Sequence, residues 1–141
     1  DIREEFVVPL APAAVEAIKA IKPLTGRSRY LFPSNRSFFN VMSENAIGYL
    51  YNRAGYQGRH VPHGWRATFS TIMNELAERE ERGSDRAVID LMLAHVPKNK
   101  VEGAYNRANF MARRRELAEL WAHLLLLGSQ PAAQLLEGPR R

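Results

Sequence analysis

The chain has no cysteine among its 141 residues. That excludes a disulfide framework and a thiolate metal site, and it suits a reducing compartment. Long apolar runs are missing too. The Leu124–Leu127 cluster covers four residues, against the roughly 20 that a bilayer-spanning helix needs. The first residues do not form the charged-then-apolar pattern of a secretory leader, and no segment repeats. Extreme polarity is equally absent. With 45% hydrophobic and 25% charged residues, there is enough apolar material to build a core rather than leave the chain disordered. At this length one domain is the simplest expectation, over residues 1–127, with 128–141 as a flexible tail.

Positive charge, by contrast, is plentiful. The net charge is +5 at pH 7 and the isoelectric point is about 9.9, which suits an anionic partner, nucleic acid above all. A slightly basic solvated surface is the plainer alternative. The cations are clustered: Arg59, His60, His63 and Arg66 in one group, and Arg107, Arg113, Arg114 and Arg115 in another. Three cations near a helix N-terminus oppose its dipole, so Arg113–Arg115 call for compensation by phosphate or by acidic neighbours.

Periodicity predicts a mainly helical protein with a small β edge. Residues 4–10 alternate as a short strand, with Phe6 and Val8 on one side. Pro12 opens a helix through about Ile21, and Pro23 to Arg29 form a loop. Ser43 caps a helix from about Glu44 to Ala54, stopped by Gly55. A central helix runs from His63 to about Glu81, with Trp65, Phe69, Ile72, Met73 and Leu76 as its apolar stripe. At roughly 100° per residue, Arg66 falls about 80° from the stripe centre and His63 farther round, so both are aimed at a cleft edge. Ser84 caps a buried helix through Leu93, which delivers His95 from its end. Pro97 to Lys100 form a loop, and Tyr105 lies on or beside a short helix. A last helix, about Ala112 to Leu127, carries the seam Leu117, Leu120, Trp121, Leu124 and Leu125, expected to pack against protein.

Four residues carry the chemistry in this order: His63, Arg66, His95 and Tyr105. Arginine offers a planar fork matched to phosphate oxygens. Histidine donates to such an oxygen or moves a proton near neutral pH. Tyrosine is one of few side chains that form covalent intermediates. Each has a plainer role: Arg66 in a surface salt bridge, His63 as a helix cap, His95 at a helix dipole, Tyr105 in packing. A metal would need His60, His63 and His95 to converge; with no cysteine and no H-E-x-x-H arrangement, none is expected.

The ordered set resembles the tyrosine recombinases, the phage integrase family, and within it the integrases of prophages and genomic islands. The similarity runs through Glu5-Phe6-Val7-Val8-Pro9-Leu10, Leu31-Phe32-Pro33-Ser34, His63-Gly64-Trp65-Arg66-Ala67-Thr68, Leu93-Ala94-His95 and Val101-Glu102-Gly103-Ala104-Tyr105-Asn106-Arg107, with ten positions from His95 to Tyr105. The resemblance implies a helical catalytic domain with a small sheet on one side. It implies that Tyr105 is the nucleophile on a scissile phosphate, that Arg66 is the second of two clamping arginines, that His63 handles a proton or phosphate, and that His95 bonds a nonbridging oxygen. It implies double-stranded DNA at attachment sites as partner, self-association on DNA through the C-terminal helix, no cofactor, no membrane, and a cytoplasmic, nucleoid-associated setting. The competing readings are a basic DNA-binding module without chemistry and a type IB topoisomerase-like enzyme.

The family also uses an arginine upstream of the first strand and a lysine on a hairpin. Arg3 is not a match for the former, and Lys19 and Lys22 fall on a helix beyond the hairpin. With Asp1 as its first residue, the chain reads as a fragment, the C-terminal part of a catalytic domain. Losing one electrostatic donor costs roughly 10²- to 10³-fold in such sites. Residues 1–141 alone should therefore show little or no strand cleavage in an assay with labelled duplex DNA; efficient recombination by them would overturn the expectation.

Overall fold

The computed structural model describes residues 6–94 and 110–137. In chain order the elements are α1 (Pro12–Thr25), a two-stranded antiparallel sheet of β1 (Pro33–Ser34) and β2 (Ser37–Val41), α2 (Ala46–Tyr51) continued by a π-helical turn over Asn52–Tyr56, α3 (Gly64–Arg79), α4 (Asp85–Met92), α5 (Met111–Leu126) and α6 (Ala132–Leu135). The protein is thus mainly helical with a small sheet. The described residues form two compact units: residues 6–11, 66–94 and 110–127 in the first, residues 12–65 and 128–137 in the second.

The first unit owns the core. Phe69, Met73 and Ala77 recur every four residues along α3, so they line one face. They meet Val88, Ile89 and Leu93 from the α4 region and Leu117 from α5. Met73 and Ile89 are 1% and 0% exposed. Trp121 meets Phe69 edge to face, with centroids 5.3 Å apart. The expected α5 seam divides. Leu117, Leu120 and Trp121 pack on the core, whereas Leu124 and Leu125 remain 38% and 43% exposed.

Helices α3 and α4 of this core are each followed by a left-handed residue that is not glycine. At the end of α3, Glu81 has φ 55°; its amide bonds the Glu78 carbonyl, and the Arg82 amide reaches back to Ala77 at 2.7 Å. That pair of bonds is a Schellman motif, which normally places glycine at the left-handed position. At the end of α4, Ala94 has φ 52° and its amide bonds Leu91. Ser84 stands before α4 as expected, but its φ −66°, ψ −21° are already helical and its hydroxyl makes no capping bond. A side-chain cap needs extended backbone at that residue.

An ion pair joins α4 to α5. Arg113 Nε and Nη2 donate to Asp85 Oδ1 and Oδ2 at 2.8 and 2.6 Å, and Nη1 reaches Glu116 at 2.5 Å. The Arg113 guanidinium holds the Asp85 carboxyl below its ordinary range, against the opposing pull of burial. The carboxylates raise Arg113 in turn.

Residues 6–10 are not a strand, contrary to the alternation of Phe6 and Val8. Alternation specifies a strand only where a neighbouring strand supplies ladder partners. Here the Val7 carbonyl accepts from Arg114 Nη2 at 2.5 Å instead.

In the second unit no described residue is buried. The sheet pairs Pro33 with Val41 and Ser34 with Ser37. Ser28 Oγ donates to the Phe38 carbonyl at 2.7 Å, and the Met42 amide adds a bond to Phe32. Helix α1 runs four residues beyond the expected end at Ile21 and passes through Pro23. So late in the helix, proline removes a single backbone bond, and Gly26 N–H to Lys22 O at 2.7 Å closes the end. The cap of α2 is Asn45 rather than Ser43, and Gly55, expected to stop the helix, lies at φ 87° within the π turn, which runs on to Tyr56. Residues 128–137, expected to be flexible, include α6, which lies against α1.

Glycine accepts positive φ without the ~1–2 kcal/mol that a side chain costs there, less ~0.5–1 kcal/mol of extra chain entropy. Glu81→Gly should therefore raise the thermal unfolding midpoint by a few degrees; a lower midpoint would show that the cap is unstrained. The depressed Asp85 pKa stabilises the fold above the unfolded value near 3.8 and stops doing so as pH falls through the folded value. Thermal unfolding from pH 7 to pH 2 should show Asp85→Asn well below the parent at neutral pH, with the gap closing below about pH 4.

Candidate functional site

Arg66 sits in the first turn of α3. The apolar face of that helix is committed to the core by Phe69 and Met73, which turns Arg66 to the rim, as the periodicity requires. Its Nη2 donates to the carbonyl of Leu93, the residue that caps α4. A guanidinium has five N–H donors in a fixed plane. Anchoring one of them to a helix C-terminus orients the whole fork, and the partial negative charge at that end suits a cation.

His63 is exposed and stands immediately before α3, in the turn closed by Gly64 N–H to Val61 O at 2.8 Å. It belongs to the second unit and Arg66 to the first. His95 and Tyr105 lie outside the described residues. Leu93 and Ala94, which lead into His95, are described. The bond from Arg66 to Leu93 therefore ties the second motif residue to the backbone two positions before the third.

The neighbours of His63 explain part of the H-G-W-R sequence by packing. His60 lies between Tyr51 and Trp65, with ring centroids at 5.5 and 5.0 Å. A Cβ on Gly64 would come within 3.0 Å of His60 Cε1, so a residue larger than glycine would have to displace the ring. The Trp65 indole N–H donates to the Tyr51 hydroxyl at 2.6 Å, and Trp65 is 42% exposed. Its expected place in the apolar stripe is thus corrected: a buried indole N–H needs a partner, and Trp65 finds one at the surface.

The Arg113–Arg115 run does not present three free cations. Arg113 is bound to Asp85 and Glu116. Arg114 is 3% exposed, donates to the Val7 carbonyl and lies 5.3 Å from the Phe6 ring centre. Burial pulls its pKa down. Acidic and backbone acceptors within the protein compensate two of the three charges. Spacing carried this signal, because Arg114, Leu117 and Trp121 fall on one helix face at i, i+3 and i+7.

Arg36 and Arg53, which the motifs did not single out, line an open cleft of about 670 Å³ in the second unit with Ser34, Asn35, Asn40, Ser43 and Tyr49. The apolar side chains of Val41, Met42 and Ala46 share this lining, beside hydroxyl, amide and guanidinium groups of the kinds that contact a phosphate backbone. Among the described residues, no helix is long and apolar enough to cross a membrane.

Known proteins match this chain closely in sequence. Prophage integrase IntA of Escherichia coli strain K12 is 35% identical over 124 residues, 88% of this chain and 29% of that protein. Prophage integrase IntS of the same strain is 34% identical over 124 residues, 87% of this chain and 31% of that protein. The integrase of Shigella phage Sf6 is 33% identical over 124 residues, 87% of this chain and 31% of that protein. The chain thus spans less than a third of the length of each of these relatives. No family model matches, and no solved structure does. A similarity that covers nearly the whole chain, and meets integrases each time, settles the kinship: this chain belongs to the integrases of phages and prophages.

Proposed function

We propose that the chain is the C-terminal part of the catalytic domain of a tyrosine recombinase, which cuts and rejoins DNA for site-specific integration and excision. The observation that carries this reading is the match of the whole motif-bearing stretch to prophage and phage integrases. The Tyr105 oxygen attacks the scissile phosphorus, the bond to the 5′ oxygen breaks, and the 5′ hydroxyl leaves with a proton. The 3′-phosphotyrosyl bond conserves the phosphodiester energy until a 5′ hydroxyl from the partner strand displaces the tyrosine. No external energy source enters that balance.

Tyrosine has a pKa near 10 when unperturbed, so the attack needs cationic neighbours. Arg66 supplies one and stabilises charge that accumulates on the phosphate in the transition state. His95 donates to a nonbridging oxygen, and His63 handles a proton or bonds phosphate. The partner is double-stranded DNA at attachment sites. Arg36 and Arg53 offer contacts to its backbone, which position the duplex without reading sequence. The exposed Leu124–Leu127 end of α5 suits self-association on DNA, and the setting is the cytoplasm, at the nucleoid.

In the full-length protein, Tyr105→Phe should abolish the covalent DNA adduct and leave binding nearly unchanged, because only a hydroxyl is lost. Arg66→Ala should weaken adduct formation and binding together. It should also cost about 1.5–3 kcal/mol of stability, since a charge-assisted bond to Leu93 goes with it. Gel shift, adduct formation on a suicide duplex and thermal unfolding separate the three effects. An adduct from Tyr105→Phe would mean another nucleophile. Unimpaired function without Tyr105 would favour a DNA-binding module, and resealing without exchange between two duplexes would favour a topoisomerase-like enzyme.

A further inference from the structure

The backbone of His63 is held from both sides along the chain. Before it, His60 lies half-buried between Trp65 and Tyr51, the last residue of α2, with ring centroids 5.0 and 5.5 Å away. After it, the Trp65 indole N–H donates to the same Tyr51 through its hydroxyl, at 2.6 Å. Backbone bonds close the turn in between: Gly64 N–H to Val61 O at 2.8 Å and Trp65 N–H to Pro62 O at 3.4 Å. Three positions back and two ahead, the flanks of His63 thus converge on one tyrosine, while His63 itself is exposed. All of these residues belong to the second unit.

We propose that Tyr51, His60 and Trp65 are positioning residues for His63: their aromatic cluster pins the turn before α3 and so fixes the backbone from which the His63 ring reaches the scissile phosphate. The inference rests on the reading of His63 as a proton-handling or phosphate-bonding partner in cleavage.

Three observations favour a geometric role over a purely stabilising one. His60 Nε2 is enclosed and has no hydrogen-bond partner among the described residues. Leaving such an atom unpaired costs stability, so packing alone gives no reason for a histidine here. The approach to the turn is close, since a Cβ on Gly64 would come within 3.0 Å of His60 Cε1. The imidazole is a small flat ring and glycine has no side chain, and together they let the ring rest on the turn that carries His63. The cluster is also no core, because Trp65 is 42% exposed. Its contacts are directional instead: His60 meets Trp65 edge to face at 70°, and the indole bond sets an angle as well as a distance. Misplacing a reacting group by about 1 Å costs roughly 10²-fold in rate.

The test uses the full-length protein and a suicide duplex carrying its attachment site. His60→Ala removes the ring, and Gly64→Ala pushes it aside with a residue that favours helix more than glycine does. In each variant, adduct formation per folded molecule should fall about tenfold or more, while the dissociation constant for DNA changes less than about threefold and the fold persists by circular dichroism. The second readout is the order of the turn, from NMR relaxation in protein with isotope-labelled histidine. The His63 amide, assigned by its loss in His63→Gln, should drop from an order parameter of about 0.85 in the parent to below about 0.6 in either variant. His63→Gln should itself slow adduct formation about 10²-fold or more, which keeps the two questions apart. If His63→Gln is slow but either folded variant cleaves at the parent rate, the positioning role is overturned and the reading of His63 stands. A rate loss without loss of order at His63, or one that merely follows the loss of folded protein, also overturns it. Cleavage by His63→Gln at the parent rate overturns both.

Discussion

Directed hydrogen bonds from three guanidinium groups, of which Arg114 is buried, Arg113 half-buried and Arg66 exposed, organise the first unit. Arg66 takes the carbonyl at the end of α4, Arg113 the carboxylate at its start, and Arg114 the carbonyl of Val7. The free energy of the unit comes mainly from Met73, Val88, Ile89 and the side chains packed on them, at about 1.5–3 kcal/mol for each fully buried apolar residue. Apolar packing is non-directional, however, and helices in contact can slide or rotate at modest cost. The arginines add direction. Each donates to a definite acceptor, which sets α3, α4 and α5 in one register and ties the segment before α1 to α5.

This use of charge changes what the basic composition means. A net charge of +5 suggests a DNA-facing surface, yet two members of its densest run are consumed inside the protein. Other cations lie outside that run, Arg36 and Arg53 in the cleft of the second unit among them. On the proposed mechanism this division is useful: internal arginines hold geometry that salt screens little, whereas exposed ones supply binding that salt screens strongly.

Much of the fold was legible because it follows from periodicity. The stripe Phe69, Ile72, Met73 and Leu76 specified α3, and the apolar run before His95 specified a buried α4. Val88 and Ile89 are 2% and 0% exposed. The strand expected over residues 4–10 is absent over the described residues 6–10, because alternation reports a face without naming a partner, and the partner of Val7 is an arginine side chain. Pro23 was read as a stop because local rules treat proline as a breaker, whereas its cost depends on where in the helix it stands. The candidate site rests on an ordered set of residue types, of which His63 and Arg66 fall among the described residues. The bond from Arg66 to Leu93 was not legible, since a contact across 27 positions leaves no trace in local pattern. Trp65 misled for a related reason: it is apolar by composition, and its indole N–H takes it to Tyr51.

The central claim is that Tyr105 is the residue joined to DNA in an integrase. The direct measurement is to trap the full-length protein on a suicide duplex, digest the covalent complex with protease and nuclease, and sequence the nucleotide-bearing peptide by mass spectrometry. The account predicts a single phosphotyrosyl linkage, on Tyr105 and to a 3′ phosphate. A linkage to Tyr30, Tyr49, Tyr51 or Tyr56, to a 5′ phosphate, or to no tyrosine of this chain would contradict it.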